Sequence, residues 1–278
     1  MSRIEKAMEK AAQLRNGAVT TPAETIQQSY EVPVHIPPQP ESVKVKILSN
    51  NPYLVNLSDP YSPIGEEYRK LKSSLVKLTK GEKFKNTIMV TSAVPNEGKS
   101  ITALNLAISL AEEYDHTVLL IDADLRRPSV HRYLGMELRQ GFAEFLVGEV
   151  NLGETIIATG LGKLSVITAG REIPNPVEMF NSQKMKSLIA ELKNRYPDRY
   201  ILFDTPPVLP FAETRTLANL VDGVLFVVKE RLASQKDIRD ALEALKGSEM
   251  LGMIYNDTIP ELNDERYSSY RGYSAYKR

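Results

Sequence analysis

The chain has 278 residues, 42% of them hydrophobic, enough to bury a substantial core as one large domain or two small ones. Lysine plus arginine and aspartate plus glutamate both number 35, so no net field draws the chain to nucleic acid or anionic lipid. With no cysteine, disulfides and thiolate metal sites are excluded and a reducing cytoplasm is expected; no apolar run nears the roughly 18 residues that a spanning helix needs.

Residues 1–16 place Ile4, Met8, Ala11 and Ala12 at helical spacing among Glu5, Lys6, Glu9 and Lys10. This predicts a short amphipathic helix that docks on something, or a frayed tail. Residues 17–60 turn to Pro, Thr, Gln, Ser and Val with no sustained apolar period, which predicts a flexible linker. Ser62 and Pro63 then supply an N-cap and a first-turn proline. Tyr68, Leu71, Leu75 and Leu78 form the stripe of a helix reaching Thr79, so the globular domain is expected over 61–260.

After Gly81, β-rich runs at 87–92, 117–121, 164–168, 200–203, 223–228 and 250–255 alternate with helices. The helices begin near Lys99, Asn181, Glu213 and Ser234, with shorter pieces at 129–134 and 142–147. The expected fold is α/β, a doubly wound, mostly parallel sheet flanked by helices. Residues 261–278 return to polar composition and are expected to form a mobile tail.

Ala93-Val94-Pro95-Asn96-Glu97-Gly98-Lys99-Ser100 follows a β-run and opens the helix at Ile101, where a phosphate-binding loop must sit. Its backbone amides would cradle phosphates, Lys99 would neutralise β- and γ-phosphate charge, and Ser100 would offer a hydroxyl to Mg²⁺. Gly98 permits close backbone approach. Ala93 stands where the general pattern has glycine, and the competing reading is an ordinary strand-to-helix turn.

Two acidic strand ends follow. Val118-Leu119-Leu120-Ile121 runs into Asp122-Ala123-Asp124-Leu125-Arg126, and alternation along a strand would put Asp122 and Asp124 on one side, facing one metal-phosphate group. The competing reading is that one or both cap the next helix. Tyr200-Ile201-Leu202-Phe203 stops at Asp204-Thr205-Pro206-Pro207, the form of a Walker B carboxylate that could hold Mg²⁺ through water.

With these motifs in place, the chain from Ser62 to Arg278 resembles the bacterial tyrosine kinases, P-loop NTPases whose second Walker motif is matched by 120–126 and whose Walker B by 203–206. The opening Met1–Ala7 resembles the soluble autokinases encoded with exopolysaccharide and exosortase systems. The resemblance implies ATP and Mg²⁺ as cofactors. It makes Asp122 the candidate to accept or align the tyrosine proton, and groups Asp122 with Ser100, Asp124 and Asp204 at the metal. It places Glu66, Arg69 and Lys72 in a ring-like homo-oligomer contact and Asn256 on the adenine edge. It further implies a membrane polysaccharide co-polymerase or adaptor with an activating cytoplasmic tail, recruitment to the inner membrane, and a cognate tyrosine phosphatase.

Tyr267, Tyr270, Tyr273 and Tyr276 recur every third residue with nothing apolar beside them, as accessible phosphoacceptors would. Two rival readings remain. A ParA- or MinD-like ATPase switch would carry a second lysine early in the phosphate loop, where this chain has Val94. A nucleotide-binding scaffold would have no turnover.

Overall fold

Runs rich in Val, Ile, Leu and Phe, each broken by a polar or glycine-bearing turn, form strands buried on both faces, as parallel strands between helical layers must be. The structure is a computed structural model and describes residues 51–195 and 198–258. In chain order these are α1 (Val55–Ser58), α2 (Pro63–Thr79), β1 (Thr87–Ser92), α3 (Lys99–Ala111), β2 (Thr117–Asp122), α4 (Val130–Tyr133) and α5 (Phe142–Val147). Next come α6 (Leu152–Thr155), β3 (Ile157–Ala158), β4 (Leu164–Ile167), α7 (Val177–Asn181), α8 (Gln183–Arg195), β5 (Arg199–Asp204), α9 (Ala212–Ala218), β6 (Gly223–Lys229), α10 (Gln235–Ala244) and β7 (Met250–Asn256). The amphipathic segment expected at 1–16 and the tyrosine cluster lie outside the described residues.

The sheet order is β3-β4-β2-β5-β1-β6-β7, parallel except for the β3–β4 pair, which is the doubly wound α/β fold expected. Met89, Ile121, Ile201, Phe203 and Phe226 face one layer with Phe142, Phe180 and Leu188. Ile88, Val90, Leu120, Leu202 and Val227 face the other with Leu104, Leu106 and Leu110 of α3. Each such fully buried side chain contributes about 1.5–3 kcal/mol relative to exposure.

Ser62 caps α2 as expected, its hydroxyl accepting the Gly65 N–H at 3.1 Å. The helix ends where Thr79 Oγ1 meets Tyr200 Oη at 2.7 Å. Packing begins earlier than the sequence indicated: Leu54 is fully buried in the α3 layer, and Asn56 Nδ2 donates to the Asn105 carbonyl at 2.8 Å. Residues 51–58 are therefore part of the packed body and not of the linker expected over 17–60. The helix expected to begin near Asn181 begins at Gln183 as α8, and the separate short helix α7 precedes it. Ser182 is extended and its hydroxyl accepts the Met185 N–H, so it ends α7 and caps α8. The two-residue β3 carries no readable period. No helix among the described residues is long and apolar enough to cross a membrane.

Candidate active site

The carboxyl ends of β1, β2 and β5 gather the three predicted motifs on one edge of the sheet, at its centre. Between β1 and α3 the phosphate loop turns through left-handed backbone at Asn96 (φ 68°) and Gly98 (φ 88°). Gly98 is required twice over. Its φ disfavours L side chains, and a Cβ there would stand 2.1 Å from Asn256 Nδ2.

Glu97 is the phosphate loop's internal brace. It is fully buried, and its carboxylate accepts the Val94 N–H at 2.8 Å and the Lys229 N–H at 3.3 Å. Asn256 completes the brace by donating Nδ2 to the Glu97 carbonyl at 2.9 Å. This position, predicted for adenine, therefore touches the loop directly. Pro95, Ile101, Lys99 and Ser100 line the cleft with Val94, Asn96 and Gly98, and Ala93 is buried behind them.

Lys99 Nζ lies 3.3 Å from Asp124 Oδ2. Burial penalises its charge, but Asp204, Asp124 and Asp122 together outweigh that and hold the ammonium above its usual pKa. Asp124 also accepts the Arg127 N–H at 3.0 Å, which fixes the turn after β2.

The strand geometry expected to carry Asp122 and Asp124 together ends at Asp122. Asp122 does act as a cap: Oδ2 accepts the Ser129 and Val130 N–H groups, both at 3.0 Å, and Oδ1 accepts the Asp124 N–H at 3.2 Å. Those bonds stabilise its anion, but burial and then the neighbouring Asp204 push its pKa up to about 8. Asp204 is fully buried and pushed up to about 6, chiefly by burial, with Lys99 and then the nearby Ser100 hydroxyl opposing. Neither Asp204 oxygen has a hydrogen-bond partner within the usual distance, so Ser100 acts as a neighbouring dipole rather than a full bond.

An orphaned, wholly buried carboxylate beside a serine hydroxyl at a phosphate loop fits a hard cation that keeps waters and phosphate oxygens as its other ligands.

On α2, Arg69 pairs with Glu66 at 2.7 Å and donates to the Pro60 carbonyl, while Lys72 pairs with Glu113 at 2.8 Å. The three residues predicted for self-association thus have partners within the chain.

A cleft of about 1180 Å³ opens from the phosphate loop towards the segments after β2 and β5. It includes Arg126, a residue with no role in the sequence reading beyond its motif. Arg126 pairs with Glu213, 87 residues away, and a separation of that kind leaves no local signal.

The chain matches the AAA domain family over residues 86–249. It is 35% identical over 205 residues to the tyrosine-protein kinase YwqD of Bacillus subtilis, covering 73% of this chain and 85% of that protein. It is 33% identical over 224 residues to the succinoglycan biosynthesis transport protein ExoP of Rhizobium meliloti, covering 78% of this chain but 28% of ExoP. Among solved structures, the kinase domain of the Escherichia coli tyrosine kinase ETK superposes with a TM-score of 0.70 at 30% identity, covering 75% of this chain and 81% of that one.

Proposed function

The chain belongs to the bacterial tyrosine-protein kinase family, and on that premise we propose that it transfers the γ-phosphoryl of ATP to its own Tyr267, Tyr270, Tyr273 and Tyr276, regulating exopolysaccharide synthesis or export. The observation that carries this reading is the set Lys99, Asp124 and Asp204 at the phosphate loop, with a cleft open on the side away from β6 and β7.

The chemistry asked of the protein is positioning and charge stabilisation. The loop amides and Lys99 hold the phosphates, and Lys99 exchanges its Asp124 contact for phosphate oxygen. Ser100 and Asp204, with Asp124 and Asp122 nearby, would hold Mg²⁺, which supplies charge neutralisation on the phosphates. Asp122 receives or aligns the tyrosine proton. Asn256 bonds the adenine edge while bracing the loop.

The transfer is read as occurring between copies, the tail of one chain entering the cleft of another. Glu66, Arg69 and Lys72 would exchange their internal partners for a neighbour's in a ring. A membrane polysaccharide co-polymerase would supply the activating tail and recruit the protein to the inner membrane, and a tyrosine phosphatase would reset it.

The test mixes two chains. One has all four tail tyrosines changed to Phe; the other carries Lys99→Met and an intact tail. With Mg-ATP, phosphate is expected on the tail of the Lys99→Met chain. An unmodified tail in the mixture, with the unaltered chain phosphorylating itself, excludes transfer between copies.

A further inference from the structure

The cleft has two ends of different character. Its lining comes from Tyr53, the phosphate loop, the segment after β2, Glu172 and the segment 207–211, and no lining residue belongs to β6 or β7. The base-side residue Asn256 lies on β7, across the phosphate loop from this space. The cleft is therefore where a second substrate approaches the γ-phosphate.

One wall of it is apolar, with Pro207, Leu209, Pro210 and Phe211 running from the end of β5 to α9. The start of this segment is tied to β1 through the Val208 and Leu209 N–H groups, and Arg215 donates to the Val208 and Leu209 carbonyls. Arg126 ties its far end: the guanidinium lies 4.6 Å from the Phe211 ring centroid, pairs with the fully buried Glu213 through Nε and Nη2, and donates to the Pro174 carbonyl. Next to it, the Leu125 carbonyl accepts the Ile173 N–H at 2.8 Å. One planar side chain thus ties together the segments after β2, β4 and β5, and holds one aromatic face against the cleft. A lysine could keep the charge but not the fork and the stacking at once.

We propose that Phe211, with the flanking Leu209 and Pro210, is the subsite for the aromatic ring of the acceptor tyrosine, and that Arg126 is the positioning residue that sets it. This rests on the kinase reading above and deepens it. The subsite selects by shape and polarisability. A phenol ring packs against Phe211 with its hydroxyl reaching towards Asp124 and the γ-phosphate, whereas serine or threonine has no ring to place and falls short. The reaction is unchanged: the tyrosine oxygen forms a bond to γ-phosphorus, the β–γ bridging bond breaks, and the phenolic proton leaves to a carboxylate.

The experiment uses the full chain, Mg-ATP and a synthetic peptide of residues 262–278 as acceptor, with KM measured for peptide and for ATP separately. Phe211→Ala is expected to raise the peptide KM about ten-fold while the ATP KM stays within about two-fold, and Phe211→Tyr to restore it. Arg126→Lys should raise the peptide KM several-fold while the chain remains folded, which a purely structural tie would not do selectively. Equal changes in both KM values, or a peptide KM moved by Tyr53→Ala and not by Phe211→Ala, overturn the assignment. An unaltered chain that consumes ATP and leaves the peptide unmodified overturns the kinase reading and the subsite with it.

Discussion

Asp122 and Asp204 stand in register on neighbouring parallel strands, as the last residues of β2 and β5, and both are fully buried. They are treated differently by their surroundings. Asp122 accepts three backbone N–H groups, while Asp204 has no hydrogen-bond partner and relies on Lys99 for compensation. The unmet charge of Asp204 thus weighs against folding.

A raised carboxyl pKa means the folded chain holds a proton that the unfolded chain has released, so stability falls as pH rises. For Asp204 the penalty is absent below the ordinary value of 3.8, grows as pH climbs to about 6, and is constant above. Asp204→Asn removes it. In urea unfolding without nucleotide, the Asp204→Asn chain should be more stable than the unaltered one by about 1–3 kcal/mol at pH 8, with little gain at pH 4, and phosphotransfer should be lost. An equal difference at both pH values would contradict the assignment.

Glu213 is fully buried and Arg126 is about one-quarter exposed. Arg126→Ala leaves a buried carboxylate uncompensated and should cost about 2–3 kcal/mol in denaturant unfolding, discounted from a fully buried pair for the solvent at Arg126. Adding Glu213→Gln should recover part of that loss. A double variant no more stable than Arg126→Ala alone would show that the pair does not couple.

Leu54 anchors residues 51–58 on α3 in full burial. Leu54→Ala should destabilise the chain by about 2–4 kcal/mol in urea. A change below about 0.5 kcal/mol would place this segment outside the cooperative unit.

Gly98→Ala meets both a left-handed φ and the Asn256 amide. ATP affinity, read by titration calorimetry, should fall at least about ten-fold. Pairing it with Asn256→Ala relieves the contact but not the backbone strain, so recovery should be partial. Complete recovery would assign the whole effect to the side chain.

The strands and the phosphate loop were legible because apolar runs ending in Asp122 and Asp204 carry both a period and a stop. What escaped were relations between distant residues. Asp122 capping the next helix was an open reading, which the turn of the chain after β2 decides by bringing the Ser129 and Val130 amides to its carboxylate. The bracing role of Glu97 was not legible because its contact to the Lys229 N–H appears only when β6 lies beside β1. Residues 51–58 read as linker because Tyr53, Leu54, Val55 and Leu57 make an apolar run too short to show a helical period.

The central claim is tested most directly by intact-mass and phosphopeptide analysis of the full chain after incubation with Mg-ATP, alone and with the cytoplasmic tail of a membrane partner, beside Lys99→Met. Phosphate on Tyr267, Tyr270, Tyr273 and Tyr276, absent from a folded Lys99→Met chain, is the predicted result. ATP consumed while those tyrosines stay unmodified in both conditions, or phosphate acquired equally by Lys99→Met alone, would contradict it.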